Sequence, residues 1–339
     1  MLSFVPEVIL EAPLLAWLGL GALVVVLLTI DFVGHVRSPH APTMKEASTW
    51  SLAYIGLAVA FGFVIWWMWD LPHATQYWAG WVTEWSLSLD NLFVFVIILA
   101  AFKVPREYQQ KVLLIGIVLS LVFRFVFILV GVAIIERFAW IFYIFGAFLL
   151  YTAIKQAMEG VETGEAAEGE YHENAMTRWA RRIFPTTNGF VSDKMLHRHD
   201  GKTYITPMLL VIVAVGTADV MFAVDSIPAI FGLTKVPFIV FAANAFSLLG
   251  LRQLYFVIDG LLERLAFLHY GLAAILGFIG VKLVLHALHE NNLPFINGGQ
   301  GIHVWEPGIE FSLIYIVVVL GITIIASLVY SRKKDPAKA

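Results

Sequence analysis

Hydrophobic residues in this chain run on far longer than the core of a soluble domain needs. Nine apolar stretches, at about 12–35, 49–69, 78–102, 111–135, 138–157, 205–232, 236–258, 265–288 and 309–331, each reach bilayer-crossing length. The gaps between the fourth and fifth stretches, and between the sixth and seventh, leave room only for tight turns. One extended polar region, 158–204, interrupts the pattern. Its first part, Glu159 to Glu173, is acidic and rich in Gly, Ala and Glu. Its second part, Met176 to Phe184, is basic, with Trp179, Ile183 and Phe184 interspersed. That part reads as a solvated basic loop, or as a short amphipathic helix on the membrane surface. The expected fold is all-α, a polytopic bundle of about nine transmembrane helices.

Composition agrees: the chain is 60% hydrophobic and only 14% charged, outside the range of soluble globules. A net charge of -3 argues against nucleic acid as a partner. With no cysteine, disulfides, thiolate metal sites and thiol redox chemistry are excluded. The first stretch lacks the basic flank and small-residue cleavage site of a signal peptide, so a retained helix is expected. Lys and Arg gather in alternate loops: Arg37 and Lys45, then Lys103, Arg106 and Lys111, then 158–204, then Arg264, then the tail with Arg332, Lys333 and Lys334. The positive-inside rule places the N-terminus outside and the C-terminus in the cytoplasm.

The third to fifth stretches resemble the sixth to eighth. Asp90-Asn91 matches Asp225-Ser226, Lys103-Val-Pro105 matches Lys235-Val-Pro237, Arg124 matches Arg252, and Glu136-Arg137 matches Glu263-Arg264. Lys155 and Lys282 follow in the same order and read as snorkelling lysines near helix ends. Three helices is an odd number, so the copies enter the membrane from opposite sides. An inverted repeat of this kind is a transporter architecture with its site where the copies meet. The chain then divides into two N-terminal helices (1–77), a first repeat (78–157), a cytoplasmic loop (158–204), a second repeat (205–288), and an outer loop, last helix and tail (289–339).

Acids inside these stretches are the candidate chemistry. Glu84 and Asp90 stand six residues apart in the third stretch, and Asp219 and Asp225 six apart in the sixth. Acids in lipid each cost on the order of 2.5–3.5 kcal/mol on insertion scales, so something must offset them, and a bound cation is the obvious agent. Six helical residues leave paired acids about 120° apart in angle and about 9 Å apart along the axis. Two arrangements remain. In the favoured one, Asp90 and Asp225 share an ion, with Glu84 and Asp219 above and below it. In the other, a helix unwinds and all four acids converge. Pro228 either breaks its helix beside Asp225 or merely kinks it. Asn91 and Ser226 add neutral oxygens, and an all-oxygen set suits Mg, Ca or Mn. Asn244 completes the site or satisfies a helix contact. Arg124 and Arg252 balance or hold the acids. Asp31 is either an inner-gate ligand or an interfacial carboxylate in water. His286, His289 and His303 read as exposed loop residues. No HExxH, Ser-His-Asp order or Gly-rich phosphate loop points to an enzyme, and no prosthetic group is expected.

The stretches Glu84-Trp-Ser-Leu-Ser-Leu-Asp90-Asn91-Leu-Phe-Val and Phe222-Ala-Val-Asp225-Ser226-Ile-Pro228-Ala-Ile-Phe231 resemble the two signature segments of TerC-type integral membrane proteins, notably their Alx-like branch. Ile144-Phe-Gly-Ala-Phe-Leu-Leu150 and Leu249-Gly-Leu-Arg252-Gln-Leu-Tyr-Phe256 are similar too. The resemblance implies a multi-pass protein of the bacterial cytoplasmic membrane with a part in metal or tellurite resistance. It implies a divalent-cation transporter, foremost a manganese exporter driven by protons or membrane potential. The metal path would hold Glu84, Asp90, Asn91, Asp219, Asp225 and Ser226. The alternative is a membrane scaffold that docks partners through 158–204. One departure matters: several relatives carry Glu three residues before the position of Asp219, where this chain has Gly216.

Overall fold

The computed structural model describes residues 12–36, 40, 42–138, 140–162, 177–178, 182–187, 189–199, 202–258 and 267–334. Among them nine helices are long and apolar enough to cross a membrane. They are α1 (Leu14–Asp31), α2 (Met44–Met68), α3 (Leu71–Ala101), α4 (Arg106–Arg137), α5 (Ile141–Glu162), α6 (Pro207–Phe231), α7 (Pro237–Ile258), α8 (Leu268–His289) and α9 (Ile309–Lys334). A π-helical turn, Phe32–Val36, extends α1 beyond Asp31.

Local chemistry explains where the helices begin. Thr43 caps α2 by accepting from the Glu46 N–H, and Thr-x-x-Glu is a helix-start signature. Asp70 caps α3 by accepting from the His73 N–H at 2.9 Å, and Pro72 sits in the first turn, where a missing N–H costs nothing. As a result α3 starts at Leu71, seven residues before the stretch at 78 that hydropathy alone marks.

The centre of the bundle is α7. Of its spanning window 94% is buried, against 17% for α1. Its small residues Ala242, Ala243, Asn244, Ala245, Ser247 and Gly250 let neighbours close in on several sides. α3 packs on α6 and α7, α4 packs on the same two, and α5 packs on α8. The α5–α8 crossing is made by glycines: a Cβ at Gly146 would stand 2.9 Å from the Gly280 carbonyl oxygen, and one at Gly280 would stand 3.1 Å from that of Gly146. Gly146→Ala is expected to destabilise the protein by about 1–3 kcal/mol through overpacking, read as a lower unfolding midpoint in detergent.

The polar region holds an element that its composition hid. Leu196–His199 and Lys202–Ile205 form an antiparallel hairpin, with Leu196 opposite Ile205. Thr206 ties it to the start of α6 by donating to the Lys194 carbonyl at 2.6 Å. Lys111 on α4 reaches Asp193 Oδ2 at 2.7 Å. Of the segment 176–184, expected as an amphipathic helix or a solvated loop, residues 176 and 179–181 lie outside the described residues. Hydrogen bonding from Lys111 holds the Asp193 carboxyl below its ordinary value. A depressed acid stabilises above its unfolded pKa, about 3.9, and the benefit disappears as pH falls through the lower folded value. Amide exchange around Asp193 should therefore be unchanged from pH 7 down to about 4 after correction for intrinsic rates. It should rise below that, with a gain worth about 0.5 kcal/mol or less for so exposed a pair.

Candidate cation site

The first acids of the two repeated motifs meet on one arginine. Arg124, mid-way along α4, is fully buried, as is Glu84. Its Nη1 donates to Glu84 Oε2 at 2.6 Å, to Asn244 Oδ1 at 2.7 Å and to Ser226 Oγ at 3.2 Å. Its Nη2 lies 3.5 Å from Asp219 Oδ1. Ser120, one turn earlier on α4, donates to the other Asp219 oxygen. Four helices thus converge: Glu84 on α3, Ser120 and Arg124 on α4, Asp219 and Ser226 on α6, and Asn244 on α7.

Helical spacing produces this convergence. Glu84, Ser88 and Asn91 stand at i, i+4 and i+7, so they share one face of α3, and all three are buried. Asp219 and Ser226 stand seven apart on one face of α6, and Ser120 and Arg124 four apart on α4. Ser88 continues the polar face toward α7, 3.4 Å from Ser247. Two carboxylates against one guanidinium is an unequal charge count. Buried ions are tolerated when paired and hydrogen-bonded, yet among the described residues Glu84 Oε1 and Asp219 Oδ1 have no hydrogen-bond partner. A cavity of about 10 Å³, room for about one water, adjoins Asp219 and Ser120 between Gly116 and Val215.

This geometry corrects the expected arrangement. Asp90 and Asp225 were to share the ion, with Glu84 and Asp219 above and below. In the structure Glu84 and Asp219 are not separate steps but meet on Arg124. α3 and α6 run antiparallel, since a Cβ on Gly80, early in α3, would lie 3.7 Å from Ile230, late in α6. With Gly80 level with Ile230 on antiparallel helices, at 1.5 Å per residue positions 90 and 225 differ by about 8 Å in depth. The Asp90 side chain lies outside the described residues; Asp225 is half-buried and makes contacts of its own. The unwound alternative also fails, because α3 and α6 are helical through all four acids. α6 carries Pro228 inside it and continues to Phe231, so the proline does not break the helix.

Other residues also moved. Asp31 is not a carboxylate in water: it is 1% exposed and pairs with Arg252 Nη2 at 2.6 Å. Lys282 does not snorkel: it is buried and donates to Ser312 Oγ at 3.3 Å. His286 is half-buried, with Nδ1 3.0 Å from Glu306 Oε1. Asp259 and Glu263, like the Glu136 side chain, lie outside the described residues. Ser120 was missed, although its place four residues before Arg124 on one helix was legible. A Cβ at Gly216 would press on the Leu119 side-chain end at 2.6 Å, so an apolar neighbour stands beside this position. Among the described residues no three His, Asp or Glu side chains gather as a ready-made metal cage; the place where two of them meet is taken by Arg124.

The sequence model for the integral membrane protein TerC family matches residues 69–335, a stretch that contains this whole centre. The chain belongs to the TerC family. It is 47% identical over 314 residues to the uncharacterized membrane protein Rv2723 of Mycobacterium tuberculosis, covering 92% of this chain and 79% of that one. It is 37% identical to the uncharacterized membrane protein STKORF319 of Myxococcus xanthus, covering 95% of each. It is 39% identical over 280 residues to the putative membrane-bound redox modulator Alx of Escherichia coli, covering 80% of this chain and 86% of that one. No solved structure matches. Within this TerC chain, Arg124 therefore ties together two acids, Glu84 and Asp219, that both lie in the matched stretch.

Proposed function

We propose that this TerC family chain transports a hard divalent cation, foremost manganese, out of the bacterial cytoplasm across the inner membrane. The observation that carries the reading is the meeting of Glu84 and Asp219, from oppositely directed helices, deep in the bundle, each with one carboxylate oxygen that accepts no hydrogen bond from the described residues. Such oxygens are hard ligands suited to Mn, Mg or Ca. Asn244 and Ser226 supply neutral oxygens at the same point. Asp90 and Asp225, six residues further along their helices, are further acids of the path. Asn91 lies on the same buried face of α3 as Glu84. An inverted repeat is supported by packing that is symmetric under exchange of the copies: α3 with α7 and α4 with α6. The loop charges support an outside N-terminus and a cytoplasmic C-terminus. Carboxylates that release a cation can take up protons, which supplies a coupling ion.

The name of the Escherichia coli relative, a putative membrane-bound redox modulator, favours a second reading, a redox role. A chain without cysteine has no thiol couple for it. Control over a redox-active cation such as manganese would reconcile the two readings. The test is flux of manganese chloride into proteoliposomes carrying a metal-sensitive dye. Acid-dependent flux above that of empty liposomes is expected. Its absence, with the folded protein inserted, overturns the proposal.

A further inference from the structure

The centre already holds a cation of its own. The Arg124 guanidinium is in contact with Glu84, Asn244, Ser226 and Asp219 at 2.6, 2.7, 3.2 and 3.5 Å. Every one of these groups offers oxygen, and those are the atoms a hard metal ion would take. Arginine keeps its proton in any protein environment and has no acceptor to offer a metal. A metal ion at these oxygens would therefore sit against a fixed positive charge in a medium that screens poorly.

We propose that Arg124 is a tethered competitor for the transported ion: guanidinium and divalent cation occupy the Glu84–Asp219 pair by turns. The inference rests on the transport reading above and adds the device that loads and empties its site. Charge counting supports it. Two carboxylates and one guanidinium leave one negative charge over, while two carboxylates and one divalent cation leave none. A divalent ion therefore displaces the arginine, and a monovalent ion, which only equals its charge, does not. Release follows from the same competition. A desolvated pair of carboxylates would hold a divalent ion too long, and a guanidinium anchored on α4 is always at hand to take the oxygens back. Ser120, on the same helix, keeps hold of Asp219. The adjoining cavity, with room for about one water, cannot receive a guanidinium. The exchange therefore requires α4 to shift against α6, and ion occupancy becomes linked to helix movement.

The experiment measures manganese binding by equilibrium dialysis on the purified full chain, and flux on the same preparations in liposomes. Arg124→Gln is expected to bind manganese about tenfold more tightly or better and to transport it at about a tenth of the wild-type rate or less. Its unfolding midpoint should rise with added manganese far more than that of wild type. Glu84→Gln added to Arg124→Gln should abolish the gain. Unchanged or weaker binding by Arg124→Gln would make Arg124 a structural staple and overturn the proposal. If Arg124→Gln survives purification only with manganese present, that supports the proposal. If it survives neither way, Arg124→Lys decides: its shorter ammonium should hold the two acids less well, so tighter binding supports the competition and unchanged or weaker binding ends it. Wild-type protein that neither binds nor transports manganese defeats the transport reading and this inference with it, whereas wild-type flux without the Arg124 effect defeats this inference alone.

Discussion

Glu84→Gln and Asp219→Asn are each expected to lower manganese flux by about a hundredfold or more while leaving the protein folded. The size follows from the site. Each change removes one of two charges a divalent ion requires in a buried place, a loss of roughly 3 kcal/mol or more, which is about two powers of ten in affinity. Survival of the fold follows from the same count. The pair and Arg124 together carry an excess of one negative charge, so removing one carboxylate leaves the guanidinium still matched by the other. Unfolding midpoints in detergent should thus stay near wild type while flux collapses. A variant that keeps more than half of wild-type flux would remove that acid from the path.

The second large effect concerns the other buried arginine. Arg252 on α7 pairs with Asp31 at the end of α1, and neither is more than 1% exposed. Arg252→Met leaves Asp31 buried without the opposing arginine charge, which costs about 3–5 kcal/mol. The unfolding midpoint should drop by roughly 5–10 °C. Replacing both residues, Asp31→Leu with Arg252→Met, should recover most of the loss, because an apolar pair of similar volume needs no desolvation offset. If the double variant is as unstable as the single one, the pair has a role beyond joining α1 to the central helix.

Arg124 and Arg252 also show how far the sequence could be read. Their repeat equivalence was visible, and so was the need of buried acids for a positive partner. Which acids they would hold was not. That choice depends on how far α3 slides along α6, and nothing in either helix's own pattern sets the slide. Six-residue spacing made Asp90 and Asp225 the natural pair, since each is followed by a small polar residue. Arg124 instead selects Glu84 and Asp219. Arg252 breaks the symmetry further by taking Asp31 from a helix outside the repeats.

The nine helices were legible because apolar runs of bilayer length have few alternatives in lipid. Their ends were less so. The early start of α3 was written in Asp70 and Pro72, which hydropathy does not weigh. The hairpin at Leu196–Ile205 was signalled by Asp200-Gly201 between strand-forming residues, inside a region that otherwise read only as charge. Lys282 was misread for the opposite reason: its place near a helix end suggested water, whereas α9 covers it with Ser312.

The central claim is that a metal ion binds where the oppositely directed acids meet. Crystals of the full chain grown with manganese chloride, measured at the manganese absorption edge, test it most directly. The account predicts an anomalous peak between the Glu84 and Asp219 carboxylates, with the Arg124 guanidinium withdrawn from at least one of them. A fully occupied manganese peak elsewhere in the bundle, with Arg124 still holding both acids, would contradict it.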